Sequence, residues 1–311
     1  MTTVVPQAPP HQGRRLRLPR FLLAIPGFIW YVAFYAIPVV FIIVYSFGYK
    51  PNVNEKGGVR LDRLSFDNYR DIWTDDFRQV FWSTLRIAGT GTLACVLIGV
   101  PVAYFMAIKA GPKLRSLLLL LVIVPFWMSF FIRTSAWRIV LAPNGFLSNL
   151  LIDWGLRDTK IAMLDTRPAV ILAVVYNYLP LMIFPAFVSL ERIDTAMREA
   201  SKDLGAGRIK TFLSVTLPLA SPGIAAGALL VFIPLVGDYV TATILGGAKG
   251  NMIGNVIASF AIGGQDLPKG AAAAVVLVLL ILGVVAMAAL ISFAVRRLLA
   301  HNRAVAVGGM S

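Results

Sequence analysis

An acidic side chain, Asp238, stands at the end of an apolar stretch that carries no charge from residue 219 to residue 237. Pro234 and Gly237 lie just before it, where they can break or kink a helix. A carboxylate in lipid is costly, so it must face protein, a partner charge or a water-filled path. Asp238 is therefore a candidate counter-charge for an ammonium group in transit. The alternatives are a position near the outer surface and an ion pair with an arginine.

Arginines in or beside apolar stretches are the possible partners of that carboxylate: Arg86, Arg133 and Arg138. We expect Arg86 and Arg133 to extend to the outer interface instead, because long basic side chains near the ends of spans snorkel to water.

Aromatic residues complete the candidate translocation site around Asp238: Trp127, Tyr176 and Tyr239. An aromatic face attracts an ammonium group, and each such contact is worth roughly 0.5–2 kcal/mol. Membrane aromatics also form belts at the two interfaces or pack against neighbouring helices, and that alternative stays open for all three.

The sequence offers little for catalysis or for metal binding. Cys95 is the single cysteine and lies in an apolar run, so no disulfide framework or metal cluster can be built from it. The two histidines, His11 and His301, lie in polar tails, where solvated side chains are the simpler interpretation. No nucleophile–base pair stands out. We therefore expect no cofactor, no metal and no enzymatic activity in this chain.

Two glycine-containing segments resemble nucleotide-binding motifs only loosely. Residues 205–211 lack the second glycine that a phosphate-binding loop needs before its lysine. Residues 89–94 fit a loose G-x-G-x-x-A pattern, but they lie at the start of an apolar run, where small residues favour close helix packing. ATP hydrolysis is therefore not expected here.

The segment 191–218 has the pattern of a helix, a glycine turn and a second helix. Asp194 can cap the first helix, and Gly205 can end it with a positive φ. A second amphipathic stretch follows, and Pro218 stands where a new helix would start. One apolar stripe recurs at helical spacing along the first helix: Ile193, Met197, Ala200 and Leu204. Charges of both signs beside this stripe predict a surface that docks on another protein.

Long apolar runs position these residues. The chain is 58% hydrophobic and only 14% charged, whereas soluble domains carry about 25% charge. The first run is longer than the roughly 7–15-residue core of a signal peptide, so we expect it to stay as a span. The sequence thus predicts an all-α integral membrane protein with six transmembrane helices. The runs without charge cover residues 21–47, 87–108, 116–132, 168–190, 219–237 and 271–295.

Basic residues concentrate in one set of tails and loops, namely 1–20, 109–115, 191–218 and 296–311. The opposite loops are nearly balanced in charge. Positive charge in short segments marks the cytoplasmic side, so both termini are predicted to be cytoplasmic. Topology and anionic membrane lipid then account for the net charge of +14 without nucleic acid.

This topology divides the chain into five parts. We expect a cytoplasmic N-terminal tail at 1–20, a first transmembrane helix at 21–47, an extracytoplasmic loop at 48–79, a five-helix membrane domain at 80–295 and a cytoplasmic C-terminal tail at 296–311.

The first outer loop contains a short amphipathic segment. Ser65 can cap a helix, and the apolar side chains that follow fall on one face: Phe66, Tyr69, Ile72 and Trp73. This helix would lie on the outer interface or pack against a partner subunit.

The spacing of Glu199-Ala200-Ser201, Gly205 and Leu217-Pro218 resembles the EAA loop of binding-protein-dependent ABC importer permeases. Ser201 replaces the second alanine of that pattern, and Val215 replaces its isoleucine. The resemblance implies a type-1 importer fold in which 191–218 carries a cytoplasmic coupling helix. This helix would sit in a groove of a separate ATPase subunit, with Glu199 supplying a charge contact and Gly205 the turn.

Further motifs across residues 80–295 are similar to those of spermidine/putrescine permeases. They include Pro125-Phe126-Trp127, Ile132-Arg133-Thr134, Tyr176-Asn177-Tyr178, Gly237-Asp238-Tyr239 and Met252-Ile253-Gly254-Asn255. The resemblance implies polyamine import together with a second homologous permease subunit, an ABC ATPase dimer and an extracytoplasmic solute-binding protein. Relatives carry other solutes, so iron(III), an oxyanion or a sugar stays open, as does a secondary transporter that works alone.

Overall fold

The computed structural model describes residues 20–50, 58–160, 163–247, 249–263 and 266–308, with side chains described between residues 24 and 290. Almost all of the predicted N-terminal tail, 1–20, and the last residues of the C-terminal tail lie outside this part of the chain. The described residues are nearly all helical, and their one β-bridge pairs Tyr49 with Arg60.

Long apolar helices form the framework, because a helix satisfies its own backbone hydrogen bonds where no water is available. Five of them are long enough to cross a membrane: Ala24–Tyr45, Asp75–Lys109, Arg167–Glu191, Arg208–Val236 and Leu267–Leu290. A sixth span is made by two helices, Pro112–Trp127 and Phe130–Val140, which meet at 94°. The predicted all-α fold with six spans is confirmed. We number these spans one to six in chain order, so that the bent pair is the third.

The bend in the third span corrects two expectations. Residues 116–132 were predicted to form one straight helix, but Met128 and Ser129 have extended backbone angles and end it. The second arm, Phe130–Val140, turns towards the fourth span and carries Arg133 with it. Arg133 is only 6% exposed, so it does not extend to the outer interface as predicted. A local bend, rather than the length of the apolar run, decides where this side chain lies.

The core lies where the second, fourth and fifth spans pack together. Small residues allow the close approach: a Cβ on Gly99 would lie 2.8 Å from Met182 Cγ, and one on Gly227 would lie 3.0 Å from Met182 Sδ. Ile87 and Leu235 are fully buried in the same cluster. Dispersion contacts at such sites are the main attraction between helices in lipid, where apolar burial gives no advantage.

The fifth span is one helix from Arg208 to Val236 that passes through Pro218. Its regular α-helical part starts at Leu217, with Pro218 in the first turn, but it continues the preceding helical stretch rather than starting a new helix after a loop. The chain widens to a π-helical stretch, Phe212–Thr216, just before the proline, and Leu217 N–H donates to Phe212 O, five residues back. This shift in the hydrogen-bond pattern accommodates a residue that has no N–H to donate.

A short helix, Asp67–Ile72, lies between the first and second spans, where the amphipathic segment was predicted. Ser65 Oγ accepts a hydrogen bond from Asp67 N–H at 3.4 Å. Ile72 is buried beside Phe77 and the start of the sixth span. Phe66 and Trp73 stay exposed, so a partner subunit or lipid can cover the rest of this face.

Gly223 is the position at which the fourth and fifth spans approach most closely among the described glycines. A Cβ there would lie 2.2 Å from Ser189 Cβ and 2.6 Å from the backbone oxygen of Pro185. We predict that Gly223→Ala lowers the melting temperature of the detergent-solubilised protein, because overpacking of this kind costs roughly 1–3 kcal/mol.

Gly89→Ala is the matched control, because nothing lies within 4 Å of a Cβ at that position in the second span. It should leave the melting temperature unchanged or raise it slightly. Equal melting temperatures for the two variants would contradict the close contact.

Candidate functional site

The loop between the fourth and fifth spans folds as its sequence predicted. A helix runs from Thr195 to Asp203, and Asp194 Oδ1 accepts a hydrogen bond from Ala196 N–H at 3.0 Å. Gly205 ends the turn with a φ of +83°, a conformation that costs an L side chain strain. We call Thr195–Asp203 the inner helix, after the cytoplasmic position that the charge pattern predicts for this loop.

The apolar stripe along the inner helix is exposed from Met197 onwards, whereas Ile193 packs against the core. Met197 and Leu204 are 53% and 88% exposed, and Ile209 and Leu213 at the start of the fifth span are exposed as well. Charged residues of the segment 191–218 surround the exposed apolar side chains. A patch of this kind marks a protein-binding surface.

The residues of the EAA-like pattern divide into an exposed set and an anchoring set. Glu199, Ala200 and Gly205 are exposed on the loop. Ser201 is half-buried, and its hydroxyl lies 3.3 Å from Thr211 Oγ1 at the start of the fifth span. The last two residues of the pattern, Leu217 and Pro218, lie inside the fifth span, beyond the docking surface.

Arg115 anchors the base of this loop, and sequence reasoning missed it. Its guanidinium pairs with Glu191 at 2.7 Å. The same group donates to Met106 O at 3.1 Å and to Ala107 O at 2.9 Å. Arg115 therefore joins the ends of the second, third and fourth spans that lie beside this loop. The contacts connect residues far apart in the chain, so local sequence patterns give no signal for them.

Asp238 lies at a break between the fifth span and the short helix Tyr239–Thr241. Its Oδ1 accepts Thr241 N–H at 2.9 Å, and its Oδ2 accepts Thr241 Oγ1–H at 2.6 Å. The hydroxyl of Tyr178 on the fourth span also donates to Oδ2, at 3.3 Å. Asp238 is only 6% exposed. The carboxylate thus caps a broken helix and satisfies its free N–H groups inside the membrane domain.

An ion pair between Asp238 and an arginine, the alternative to the counter-charge role, is absent from the described residues. Arg138 donates to the backbone oxygen of Ile244 instead. Arg133 lies over the rings of Phe126 and Phe130, with centroid distances of 5.5 and 5.8 Å. Its Nε and Nη1 are buried without a hydrogen-bond partner in the described part of the protein.

The aromatic residues of the predicted site do not gather around the carboxylate. Tyr239 follows Asp238 directly and is half-exposed, whereas Trp127 is largely exposed. Tyr176 packs edge-on against Trp137, with ring centroids 5.5 Å apart. The tyrosine that contacts the carboxylate is instead Tyr178, two residues along the same helix and on nearly the opposite face from the predicted Tyr176. The D-x-x-T spacing to Thr241 was a local capping signal that sequence reasoning left unused.

A cavity of about 250 Å³ lies beside the bend of the third span. Its lining includes Arg133, Trp137 and Tyr176. The Oδ1 of the neighbouring Asn177 is buried and has no hydrogen-bond partner among the described residues, while its Nδ2 donates to Thr134 Oγ1 at 3.0 Å. Buried polar groups with free hydrogen-bonding capacity collect water or ligand groups. Buried polar groups with unused hydrogen-bonding capacity thus lie close to this cavity, although most of its lining is apolar.

The described residues contain no group of three or more His, Cys, Asp or Glu side chains that could hold a metal ion. Cys95 is buried, with its Sγ 3.8 Å from Val175 O. The predicted solvated histidines, His11 and His301, lie outside the described side chains.

Six spans, a capped break within the membrane domain and an exposed apolar helix at one end form a multi-pass membrane protein. The chain belongs to the family of binding-protein-dependent transport system inner membrane components, whose model matches residues 99–298. It is thus a multi-pass protein of the inner membrane.

Two curated relatives have the same printed name, spermidine/putrescine transport system permease protein PotB. The chain is 38% identical to PotB of Haemophilus influenzae over 253 residues, which cover 81% of this chain and 87% of the relative. It is also 38% identical to PotB of Escherichia coli over 248 residues, which cover 80% and 88% of the two chains.

A solved structure shares the fold. A chain of a bacterial ABC transporter involved in the import of the acidic polysaccharide alginate superposes with a TM-score of 0.70. The match covers 88% of this chain and 94% of that chain, at 18% identity. At this identity the likeness shows the permease fold alone.

Proposed function

We propose that the chain is the permease subunit of an ATP-driven importer and that the inner helix couples it to a separate ATPase dimer. The exposed apolar stripe that ends at Leu204 carries this proposal, because an unpartnered row of this kind needs a protein surface to cover it. Membership of a binding-protein-dependent family supports the same conclusion and weighs against a transporter that works alone.

The anchoring contacts explain how movement of the inner helix reaches the membrane domain. The Ser201–Thr211 contact holds the loop to the fifth span, and the Arg115–Glu191 pair holds its base to three spans. The tight approach at Gly223 keeps the fourth and fifth spans together. When ATP closes the ATPase dimer, a displacement of the inner helix would therefore move both spans as one body.

The proposed assembly contains a second homologous permease subunit and an extracytoplasmic solute-binding protein. The inner helix lies at the end of the spans where basic residues predominate, so we place this end and both termini in the cytoplasm. The first span, Ala24–Tyr45, has no buried residues in the window that crosses the membrane, so lipid or the second subunit would cover it.

Polyamines are the proposed solute. Relatives named as spermidine/putrescine permeases match four fifths of the chain at 38% identity, and Asp238 is a carboxylate within the membrane domain. Its oxygens now accept hydrogen bonds from Thr241 and Tyr178. We propose that opening of the break at Gly237 exposes this carboxylate to an ammonium group. Tyr239 would add an aromatic face for the ammonium group. Tyr176 and Trp127 would add two more in the assembled path.

Gly205→Trp tests the coupling role of the turn. Nothing lies within 4 Å of a Cβ at Gly205, so the side chain meets no steric clash, and the strain that its positive φ imposes is reproduced in the control variant below. We predict that the variant reaches the membrane in normal amounts but loses solute uptake and ATPase binding, because the indole projects into the docking surface. Uptake of labelled solute by cells and co-purification of the ATPase measure this.

Gly155→Trp is the matched control, because Gly155 also has a positive φ, +65°, with nothing within 4 Å of its Cβ. It lies in a loop at the other end of the spans. Uptake should persist in this variant. If Gly205→Trp transported solute normally, the coupling role would be wrong.

Asp238→Asn tests the role of the carboxylate, because an asparagine can still cap the helix Tyr239–Thr241. We predict normal melting temperature but putrescine uptake reduced at least about tenfold, since a charge-assisted hydrogen bond contributes roughly 1.5–3 kcal/mol. Asp238→Ala should lose both uptake and stability. Asp153→Asn is the matched control, because it removes an exposed carboxylate outside the break. Its putrescine uptake should equal that of the wild type.

Normal putrescine uptake by the Asp238→Asn variant would exclude the counter-charge role. Competition by unlabelled spermidine, iron(III), an oxyanion or a sugar in the wild-type protein identifies the solute independently. Competition by a sugar but not by spermidine would overturn the polyamine assignment and leave the coupling role intact.

A further inference from the structure

A polar pocket lies at the outer end of the molecule, opposite the inner helix. Its volume is about 340 Å³. The start of the second span contributes Asp76 and Ser83, the first residue of the fourth span contributes Arg167, and a connecting loop contributes Lys249 and Asn251. Residues distant in the sequence meet here, and none of them takes part in the coupling surface or the break at Asp238.

Ser83 is the residue that points to a missing ligand. It is only 4% exposed, and its Oγ is buried without a hydrogen-bond partner among the described residues, although it lines the pocket. The next residue, Thr84, is also buried, yet its Oγ1 donates to Val80 O at 2.9 Å and accepts Ile253 N–H at 2.9 Å. A buried hydroxyl left without a partner is unusual in a folded protein.

The other polar groups of the pocket are mainly donors. Arg167 Nε donates to Lys249 O at 3.1 Å, which leaves the two terminal guanidinium nitrogens to reach a ligand. Asn251 Oδ1 accepts Met252 N–H at 3.1 Å, so its amide N–H groups remain. Arg167 and Lys249 carry two positive charges against the one negative charge of Asp76. The long helices that start at Asp75 and Arg167 add the positive ends of their dipoles.

This donor set and its net positive charge suit a single anionic group. A carboxylate fits, because it accepts several hydrogen bonds at once and pairs with arginine in bidentate geometry. A polyamine does not fit, because two cationic side chains would repel it. A lipid is a poor match as well, since the pocket lining is predominantly polar and offers no groove for an acyl chain.

We propose that this pocket receives a carboxylate side chain of the extracytoplasmic solute-binding protein when that protein docks on the permease. The inference rests on the proposed function, which places this end outside the cell. The carboxylate accepts hydrogen bonds from Ser83 Oγ and Arg167 and pairs with Lys249, while Asp76 at the rim disfavours a free, doubly charged anion. The pocket thereby fixes the orientation of the docked protein over the translocation path.

The test uses the complete transporter, both permeases with the ATPase dimer, reconstituted in lipid nanodiscs and titrated with the binding protein. ATP hydrolysis is followed against the binding-protein concentration. We expect Lys249→Glu to raise the half-saturating concentration about tenfold, because charge reversal at a docking contact opposes association. The maximal rate of ATP hydrolysis should equal that of the wild type and should be reached at a higher concentration of the binding protein. Ser83→Ala should raise the half-saturating concentration about threefold, since it removes a single neutral hydrogen bond.

Lys160→Glu is the matched control, since Lys160 is an exposed lysine of another loop at the same end, bound to Asn144 Oδ1. Its half-saturating concentration should equal that of the wild type. Replacing one acidic residue of the binding protein by lysine should return the half-saturating concentration of Lys249→Glu towards the wild-type value. The same replacement should give no such improvement with Lys160→Glu. That rescue identifies the carboxylate.

Unchanged half-saturation in both Lys249→Glu and Ser83→Ala, with normal stimulation of the wild type, would overturn the docking pocket alone. An equal effect of Lys160→Glu would overturn it too, because it would show a general charge effect. A third outcome is that inorganic phosphate blocks the stimulation of ATP hydrolysis in the wild type and no charge reversal on the binding protein rescues Lys249→Glu. This outcome would overturn the docking role, because the pocket would then be a site for a free anion. Failure of any binding protein to stimulate the wild type would overturn the proposed function as well.

Discussion

Close packing of the fourth span against the fifth is the constraint on which the rest of the molecule depends. In lipid, helices gain little from burying apolar side chains, so association relies on close backbone approach. Gly223 meets Ser189 and Pro185 near the inner end, and Gly227 meets Met182 deeper in the membrane. The loop with the inner helix connects these same two spans. A protein that holds the loop therefore holds a pair of helices that cannot easily slide past each other.

The same pair of spans also builds the break at the other end. Backbone groups freed inside a membrane need internal partners, because no water is available to satisfy them. Asp238 supplies the acceptors for the helix that starts at Tyr239, and Tyr178 of the fourth span donates to the same carboxylate. The coupling surface and the break are thus two ends of one packed unit. Under the proposed function, this arrangement would link a displacement at the inner helix to the accessibility of a charge in the membrane domain.

Local signals were enough to predict the spans and the inner helix, since apolar run length, the Asp194 cap and the positive φ of Gly205 act within a few residues. Contacts between distant residues could not be predicted. The bend after Met128 buries Arg133, although its place beside an apolar run suggested the interface. The tyrosine on the Asp238 carboxylate is Tyr178 rather than Tyr176, because helix rotation is set by packing partners and not by the motif.

The central claim is that the apolar stripe of the inner helix is covered by an ATPase. The buried Cys95 is the only native cysteine, so a Leu204→Cys variant presents a single exposed thiol. Its rate of reaction with a polar maleimide should be compared in detergent for the permease pair with and without the ATPase, using exposed Leu156→Cys of another loop as control. The account predicts fast labelling of Leu204→Cys without the ATPase and strong protection with it, while Leu156→Cys labels equally in both. Equal labelling of Leu204→Cys in the two samples would contradict the account.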